Sequence, residues 1–169
     1  MIPGDPRRTA VGVLLLVALV GGCAGAAEPP SRTASQQPPE VKVERDRKPV
    51  EERFPQFGNF TGVEWAAVPL GTADSRVPGP TDIRISGVAT LAKADVQRLL
   101  KEYDWVAAEV PPDVLGGIAP KVPKGAEWRT SEEFTSEVTR NVYTGSFHLD
   151  PRAGVMVFDA VNPSPAKGS

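Results

Sequence analysis

The sequence predicts an α+β domain, a small antiparallel sheet with one or two packed helices, preceded by a disordered tether. Two segments alternate apolar and polar side chains, one stretch repeats apolar residues at helical spacing, and residues 24–53 show neither period. About 110 residues follow, which is enough for one small domain. We therefore assign residues 54–163 to a globular domain and residues 164–169 to a flexible tail.

The strand predictions rest on period-two alternation bounded by turn residues. Residues 82–91 alternate in this way, and we expect a bulge at Gly87. Residues 141–149 alternate as well, residues 155–161 are apolar almost throughout, and the turn residues between them predict a hairpin. Residues 63–69 are predicted as a short edge strand that ends at its proline.

Two helices are predicted. Residues 92–103 carry charged side chains on one face and four apolar side chains on the other, namely Val96, Leu99, Leu100 and Tyr103. Trp105 follows and is expected to fold into the same core. Thr130 and Glu133 have the spacing of a capping box, which predicts a short helix that runs to about Val138.

Aromatic residues mark the start of the domain. Phe54, Phe57 and Phe60 recur at every third position. Pro55 and Gly58 argue against a helix here. We expect the three rings to strap the start of the domain onto its core; the alternative is an exposed aromatic surface on which a sugar or a partner stacks.

Two stretches are predicted to lack regular structure. Residues 24–53 are rich in Pro, Gln and Ser and then alternate in charge, so they bury too little apolar surface to offset the entropy of ordering. Residues 24–53 form the predicted tether together with Cys23, so the tether spans residues 23–53. The alternative is that this stretch is a binding strip for a partner or a cell-wall polymer. Residues 111–125, rich in Pro and Gly, are predicted as a loop long enough to be mobile or functional.

Residues 1–22 have the layout of a secretory signal peptide. Arg7 and Arg8 precede an apolar run at residues 10–20, and small residues follow it. Crossing a bilayer takes about 20 apolar residues, so a run of about 11 fits a signal peptide better than a permanent span. The alternative, a buried core helix, conflicts with the absence of a polar face. The general secretory route is our default, and the twin-arginine route is the alternative.

Val20-Gly21-Gly22-Cys23 closes this region and resembles the lipobox of bacterial lipoproteins. In that family the cysteine thiol receives a diacylglyceryl group and cleavage occurs just before the cysteine. Carried over here, the resemblance implies that Cys23 is lipidated and is the first residue of the mature protein. The family usually has Leu three positions before the cysteine, where this chain has Val20, a departure that the family tolerates.

The cysteine count agrees with this resemblance. Cys23 is the only cysteine, and lipidation would account for an unpaired thiol in an exported protein. Two acyl chains make a membrane anchor stable, so the implied location is the outer face of the cell membrane.

The net charge of −2 argues against a nucleic-acid partner. In layout and composition the chain resembles the small lipoproteins of actinobacteria.

Motifs of catalysis and of cofactor binding are missing from the sequence. It contains no nucleophile elbow, no phosphate-binding glycine loop and no His-Glu-Xaa-Xaa-His zinc motif. His148 is the only histidine, and beside Asp150 it is interpreted as a surface pair, with catalysis as the alternative. With Cys23 lipidated, no thiolate remains as a nucleophile or metal ligand. We therefore predict no enzyme activity, no cofactor and no metal site.

Carboxylates and tryptophans are the remaining candidates for a site. An acid–base pair of the glycosidase type would have to come from Glu102, Glu109, Glu127 and Asp159. The tryptophans are expected in the core, with a sugar groove as the alternative: Trp65, Trp105 and Trp128. The candidate ligand surface consists of Trp105, Trp128 and His148.

Three classes of function remain. The first, which we favour, is a surface lipoprotein whose body binds another envelope protein or serves as an accessory module. The second is a binder of a small ligand or a cell-wall glycan through the tryptophans and residues 111–125, which an exposed Trp128 would favour. The third is an envelope hydrolase, which would need two carboxylates, or His148 and a carboxylate, in one cleft.

Overall fold

A six-stranded antiparallel sheet forms the framework, with the strand order β1-β2-β6-β5-β4-β3. The computed structural model describes residues 41–70 and 82–165. Its strands are β1 (Phe60–Leu70), β2 (Asp82–Leu91), β3 (Val106–Ala107), β4 (Arg129–Thr130), β5 (Thr144–Asp150) and β6 (Val155–Val161). Its helices are α1 (Lys48–Arg53), α2 (Lys93–Glu102) and α3 (Glu132–Thr139), with short 3-10 turns at Pro55–Phe57 and Ala119–Lys121. The predicted α+β class is confirmed.

Several predictions concern residues outside the described ranges. The signal peptide, Cys23 and the tether as far as residue 40 lie there, as do residues 166–169 of the predicted tail. Within residues 41–70 and 82–165, no helix is both long enough and apolar enough to cross a bilayer.

The main core lies on one face of the sheet. We define this helix face by four side chains of β5 and β6, each at most 1% exposed: Phe147, Leu149, Met156 and Phe158. Phe54, Phe57 and Phe60 are buried against it, which confirms that these rings strap the start of the domain onto the core. The ring centroid of Phe54 lies 5.2 Å from that of Phe57 and 5.0 Å from that of Phe158.

The opposite face of the sheet is also covered. We define this loop face by three buried side chains, Ser86, His148 and Val157. Residues 111–122, called here the cover segment, cross it. The Leu115 N–H donates to Ser86 Oγ over 3.1 Å, and Ile118 of the same segment is completely buried. The central strands are therefore covered on both faces, which explains why residues 155–161 are apolar almost throughout.

The domain begins before residue 54. The backbones of Glu44 and Trp65 exchange two hydrogen bonds of 2.7 and 3.0 Å, so the chain already runs along β1 there. Helix α1 then buries Val50 in the main core. The predicted tether is therefore wrong for residues 41–53. The prediction failed because a six-residue helix with one buried side chain produces no detectable apolar period.

The edge strand β1 is longer than predicted. It extends beyond residues 63–69 at both ends and continues through Pro69 instead of ending there. Pro69 lies opposite Ile83 in the pairing of β1 with β2. Because β1 is an edge strand of the sheet, it tolerates a residue that has no N–H to donate.

Strand β2 and the hairpin of β5 and β6 are confirmed, but the bulge at Gly87 is wrong. The irregularity in the register of β1 and β2 falls between Phe60 and Gly62. Gly87 has a packing role instead. A Cβ at this position would lie 2.4 Å from the ring of Phe158 and 2.8 Å from the Cβ of Trp65, so only glycine leaves room for both.

Both predicted helices are present, with differences in detail. Helix α2 buries Val96 and Leu99, but Leu100 is exposed, so its apolar face is narrower than predicted. Helix α3 is capped by Ser131, whose Oγ accepts a hydrogen bond from the Phe134 N–H at 3.3 Å. Thr130 is not the cap because it belongs to β4, which delays the start of the helix by one residue.

Candidate binding groove

A groove of about 760 Å³ opens where the sheet ends at β3. It is lined by β3, by residues 108–110 that follow it, by the first turn of α3 and by His148 of β5. Among the residues that the structure describes, no lysine or arginine lines it. We call it the acidic groove because of its four carboxylates: Asp104, Glu109, Glu132 and Glu133.

His148 forms part of the groove wall from the loop face. Arg129 lies opposite Leu149 in the register of β4 and β5, so Thr130 lies opposite His148. The side chain of His148 is 5% exposed, and its Nδ1 is buried with no hydrogen-bond partner among the described residues. Burial lowers the pKa of His148, while a hydrogen bond with the backbone of Val110 acts in the opposite direction. The imidazole is therefore neutral near pH 7.

The carboxylate of Asp150 does not pair with His148. Its Oδ1 accepts hydrogen bonds from the backbone N–H groups of Arg152 at 2.9 Å and Ala153 at 3.3 Å. These bonds hold the turn between β5 and β6, as an aspartate at the start of a turn commonly does. The carboxylate thus has a structural role, and nothing in its contacts makes a catalytic pair with the histidine.

The four carboxylates considered for acid–base catalysis do not converge. Glu102 pairs with Arg98 at 2.6 Å on the surface of α2, and Glu127 pairs with Arg152 at 2.8 Å. Asp159 lies on the loop face, where it accepts from Arg84. Of the four, only Glu109 lines the acidic groove. No two of these four candidates therefore form the pair of carboxylates that a glycosidase needs on either side of its substrate.

Trp105 belongs to the core and not to a ligand surface. Its side chain is 9% exposed, its Nε1 donates to the Leu99 carbonyl over 2.9 Å, and its ring centroid lies 5.2 Å from that of Phe134. The indole thus closes the gap between the end of α2 and the start of α3. Its assignment to the candidate ligand surface was wrong, whereas its expected place in the core is confirmed.

The other two tryptophans are half-buried. Trp65 packs at the border of the main core and donates its Nε1–H to the Asp46 carbonyl over 2.8 Å. Trp128 lines a second, open cavity of about 430 Å³ together with residues of the loop 111–126. Of the predicted ligand surface, the structure therefore places His148 and Trp128 in two separate cavities.

Sequence reasoning missed three of the four groove carboxylates. The sequence pattern indicates Glu133 only as part of a capping box, and no motif distinguishes Glu132 or Asp104. These carboxylates share a groove because β3 pairs with β4. Each of these strands has only two residues, which is too short for a sequence period to predict it. Among the described residues, no group of three or more His, Cys, Asp or Glu side chains is placed to hold a metal ion.

No protein-family model, no curated protein and no solved structure matches this chain.

Proposed function

We propose that the protein is a lipid-anchored protein of the cell envelope whose folded domain serves as a protein-interaction module. The observation that carries the anchor is the sequence Val20-Gly21-Gly22-Cys23 at the end of an apolar run. The described part of the domain begins at residue 41. The segment between Cys23 and residue 41 can reach about 60 Å at most when extended, enough to hold the domain clear of the lipid headgroups.

The interaction role is supported by the kind of cavity that the domain offers. The acidic groove is open, lies at a sheet edge and contains charged and aliphatic side chains, as sites for peptide segments commonly do. Its carboxylates and the net charge of −2 favour a protein partner over a nucleic acid. The partner would be another protein of the envelope, because the anchor would hold the domain at the outer face of the membrane.

The anchor is tested with Cys23→Ala, and Gly22→Ala is the matched control because it keeps a small residue in the motif. We expect the control to incorporate an alkyne-labelled fatty acid and to sediment with membranes. We expect Cys23→Ala to incorporate no label and to accumulate as unprocessed precursor or in the medium. Equal labelling and equal membrane attachment of the two variants would refute the anchor at Cys23.

A second candidate function, binding of a cell-wall glycan or another small ligand, is favoured by the half-buried Trp128 in its open cavity. An indole face beside proline-rich backbone is a common surface for stacking a sugar ring. The test is calorimetric titration of the mature chain with muropeptides. Trp128→Ala should abolish any heat of binding, whereas Trp65→Phe, outside the cavity, should retain it. No heat with the unsubstituted chain would refute this candidate.

A further inference from the structure

We propose that residues 41–46, called here the latch, hold the cover segment closed over the loop face, so that drawing the latch off β1 opens the cover segment. The latch adds a conformational device to the proposed function and does not depend on the lipid anchor. It makes the stretch at which the described domain begins a control point for access to the face beneath the cover segment.

The carboxylate of Glu64 on β1 joins the latch to the cover segment. Its Oε1 accepts a hydrogen bond from Arg45 Nη2 of the latch over 2.7 Å and another from Lys121 Nζ of the cover segment over 3.0 Å. The hydrogen bond from Lys121, and after it that from Arg45, lowers the pKa of Glu64. The carboxylate is therefore ionised near pH 7 and serves both segments through one oxygen atom.

A second contact joins the two segments directly. Val41 packs on Gly117 of the cover segment, where an added Cβ would lie 3.1 Å from the Val41 Cβ and 3.2 Å from the Val41 carbonyl oxygen. Both distances are tighter than a Cβ usually has, so the latch fits here because Gly117 has no side chain. A Cβ added at Gly116 would meet nothing within 4 Å, so the close approach is specific to Gly117.

Polar contacts at the surface hold the latch to β1. The backbones of Glu44 and Trp65 exchange two hydrogen bonds, and Trp65 Nε1 donates to the Asp46 carbonyl over 2.8 Å. Every residue of the latch is exposed or half-buried, whereas Val50 of α1 is buried in the main core. Exposed hydrogen bonds and ion pairs each contribute little, because water competes for the same groups. The latch can therefore leave β1 while α1 stays packed.

The cover segment has few contacts of its own with the sheet. Of its residues, only Ile118 is buried. The Leu115 N–H donates to Ser86 Oγ, and Asp113, whose side chain is 91% exposed, pairs with Arg84 over 3.0 Å. A segment with so few buried contacts lies at the low end of the range of local stabilities in a domain. Loss of the latch should therefore be enough to open it.

Opening the cover segment would uncover a part of the loop face that is closed to solvent. Ala66 of β1 lies opposite Ser86 of β2, and both residues are completely buried. A pull on the chain ahead of residue 41 would act on the latch before it acts on α1, because the latch comes first along the chain. The cover segment would thus respond to the chain that leads into the domain.

The test is amide hydrogen exchange followed by NMR on residues 24–169, which carry no lipid. The reporter amides are those of Leu115 and Ile118, which donate to Ser86 Oγ and to the Leu115 carbonyl. The amide of Phe158 in the central strand β6 reports global unfolding.

Gly117→Ala displaces the latch, and Gly116→Ala is its matched control. We expect Gly117→Ala to speed exchange of the two reporter amides at least about fivefold and that of Phe158 by less than about twofold. Gly116→Ala should change neither, because its Cβ points into open space. Equal exchange of the reporter amides in the two variants would overturn the proposal.

Glu64→Gln tests the shared carboxylate. It keeps the size of the side chain but removes the charge that the two cations face, so exchange of the reporter amides should rise about twofold or more. Glu127→Gln is the control, because it removes an exposed carboxylate whose partner, Arg152, lies in the turn between β5 and β6. Equal exchange in these two variants would also contradict the proposal.

A disulfide tests the latch in the opposite direction. Val41→Cys combined with Gly117→Cys places two thiols on Cβ positions 3.1 Å apart, close to the spacing of about 3.8 Å that a disulfide needs. Residues 24–169 contain no other cysteine. The oxidised variant should exchange its reporter amides more slowly than the unsubstituted chain, and dithiothreitol should reverse this. Val41→Cys alone should not respond to the reductant.

Two further results would overturn the latch. One is equal exchange of the reporter amides in the oxidised and reduced forms of the double-cysteine variant. The other is acceleration in Gly117→Ala that is as large for Phe158 as for the reporter amides, since the whole domain would then unfold. Neither result bears on the lipid anchor, because the chain tested carries no lipid.

Discussion

Ser86 connects the sheet to the cover segment. Its hydroxyl donates to Asp159 Oδ2 and accepts from the Leu115 N–H, and it is completely buried. Asp159 is held in turn by Arg84, whose Nε lies 2.8 Å from Oδ2. Arg84 also reaches Asp113 of the cover segment at 3.0 Å. A network of this kind stabilises the fold only while every member has its partners.

Ser86→Ala should therefore destabilise the domain. It removes one partner from the partly buried Leu115 N–H and one from Asp159, which should cost about 1–3 kcal/mol of unfolding free energy. Ser146→Ala is the matched control, because Ser146 lies opposite Asp159 in β5 but is exposed. Urea unfolding measures both. If Ser146→Ala lowered the unfolding free energy as much as Ser86→Ala, the hydrogen bonds of the Ser86 hydroxyl would not be the cause of the destabilisation.

His148 should make stability fall on mild acidification. Burial lowers the pKa of His148 in the folded protein, so below its ordinary value of about 6.5 the unfolded chain binds the proton more readily. Because the unfolded state then holds more protons, the free energy of unfolding decreases as pH falls through this range. His148→Gln should show a smaller decrease between about pH 7.5 and 5.5, as measured by urea unfolding.

The same property can be observed directly at His148. The chain has a single histidine, so its ring signals in a proton NMR titration need no further assignment. We expect a midpoint below 6.5 in the folded domain. A midpoint at or above that value would contradict a buried, neutral imidazole.

At the scale of elements, the sheet depends on a close approach at Gly87. The Phe158 ring packs over the glycine from the neighbouring strand β6, and an alanine Cβ would lie 2.4 Å from that ring. Gly87→Ala should lower the unfolding free energy by about 1–3 kcal/mol, since the ring or the strand must move. Gly62→Ala is the control, because a Cβ there meets nothing within 4 Å. Thermal unfolding that is equal for both variants would contradict the packing at Gly87.

Helix α1 contributes to the core through Val50. Val50→Ala removes two methyl groups from a site that is 1% exposed, which should cost about 2 kcal/mol in unfolding free energy. Val142→Ala makes the same chemical change at a residue that is 76% exposed and should cost little. The measurement is denaturant unfolding of both variants. Equal stabilities would mean that α1 does not pack on the core in solution.

At the scale of the whole molecule, the domain boundary has a measurable consequence. A chain that begins at residue 41 keeps α1, the hydrogen bonds of Glu44 with Trp65, and the contact of Arg47 with the Phe60 ring at 5.1 Å. A chain that begins at residue 54 loses all of them. We expect its melting temperature to be lower by about 8 °C or more, the shift that a loss of roughly 2 kcal/mol produces in a domain of this size. Equal melting temperatures would restore the boundary at residue 54.

Much of the fold could be predicted where a local pattern is long. Strand β2, the hairpin of β5 and β6 and helix α2 each carry enough residues for a period to show, and the phenylalanine strap carries three rings. Strands β3 and β4 have two residues each and no period. They form because their neighbours bring them beside β5, so the sheet edge at the acidic groove could not be read from the chain.

The candidate site shows the same limit more sharply. His148 was noticed because it is the only histidine, and Glu109 because it is a carboxylate in a loop. That they line one groove with Asp104 and Glu132 depends on long-range pairing. Trp105 was assigned both to the core and to a ligand surface because an indole suits either environment, and only its contacts with Leu99 and Phe134 decide between them.

The sequence alone was sufficient for the α+β class and for most of the strands and helices, because these follow from periods among neighbouring residues. It also carries the basis of the anchor proposal at Cys23, since a lipobox is a motif of consecutive residues. The tertiary structure decided that both faces of the sheet are covered, that residues 41–53 belong to the domain and that four carboxylates line one groove with His148. Those features depend on register and loop closure, which bring together residues far apart in the chain.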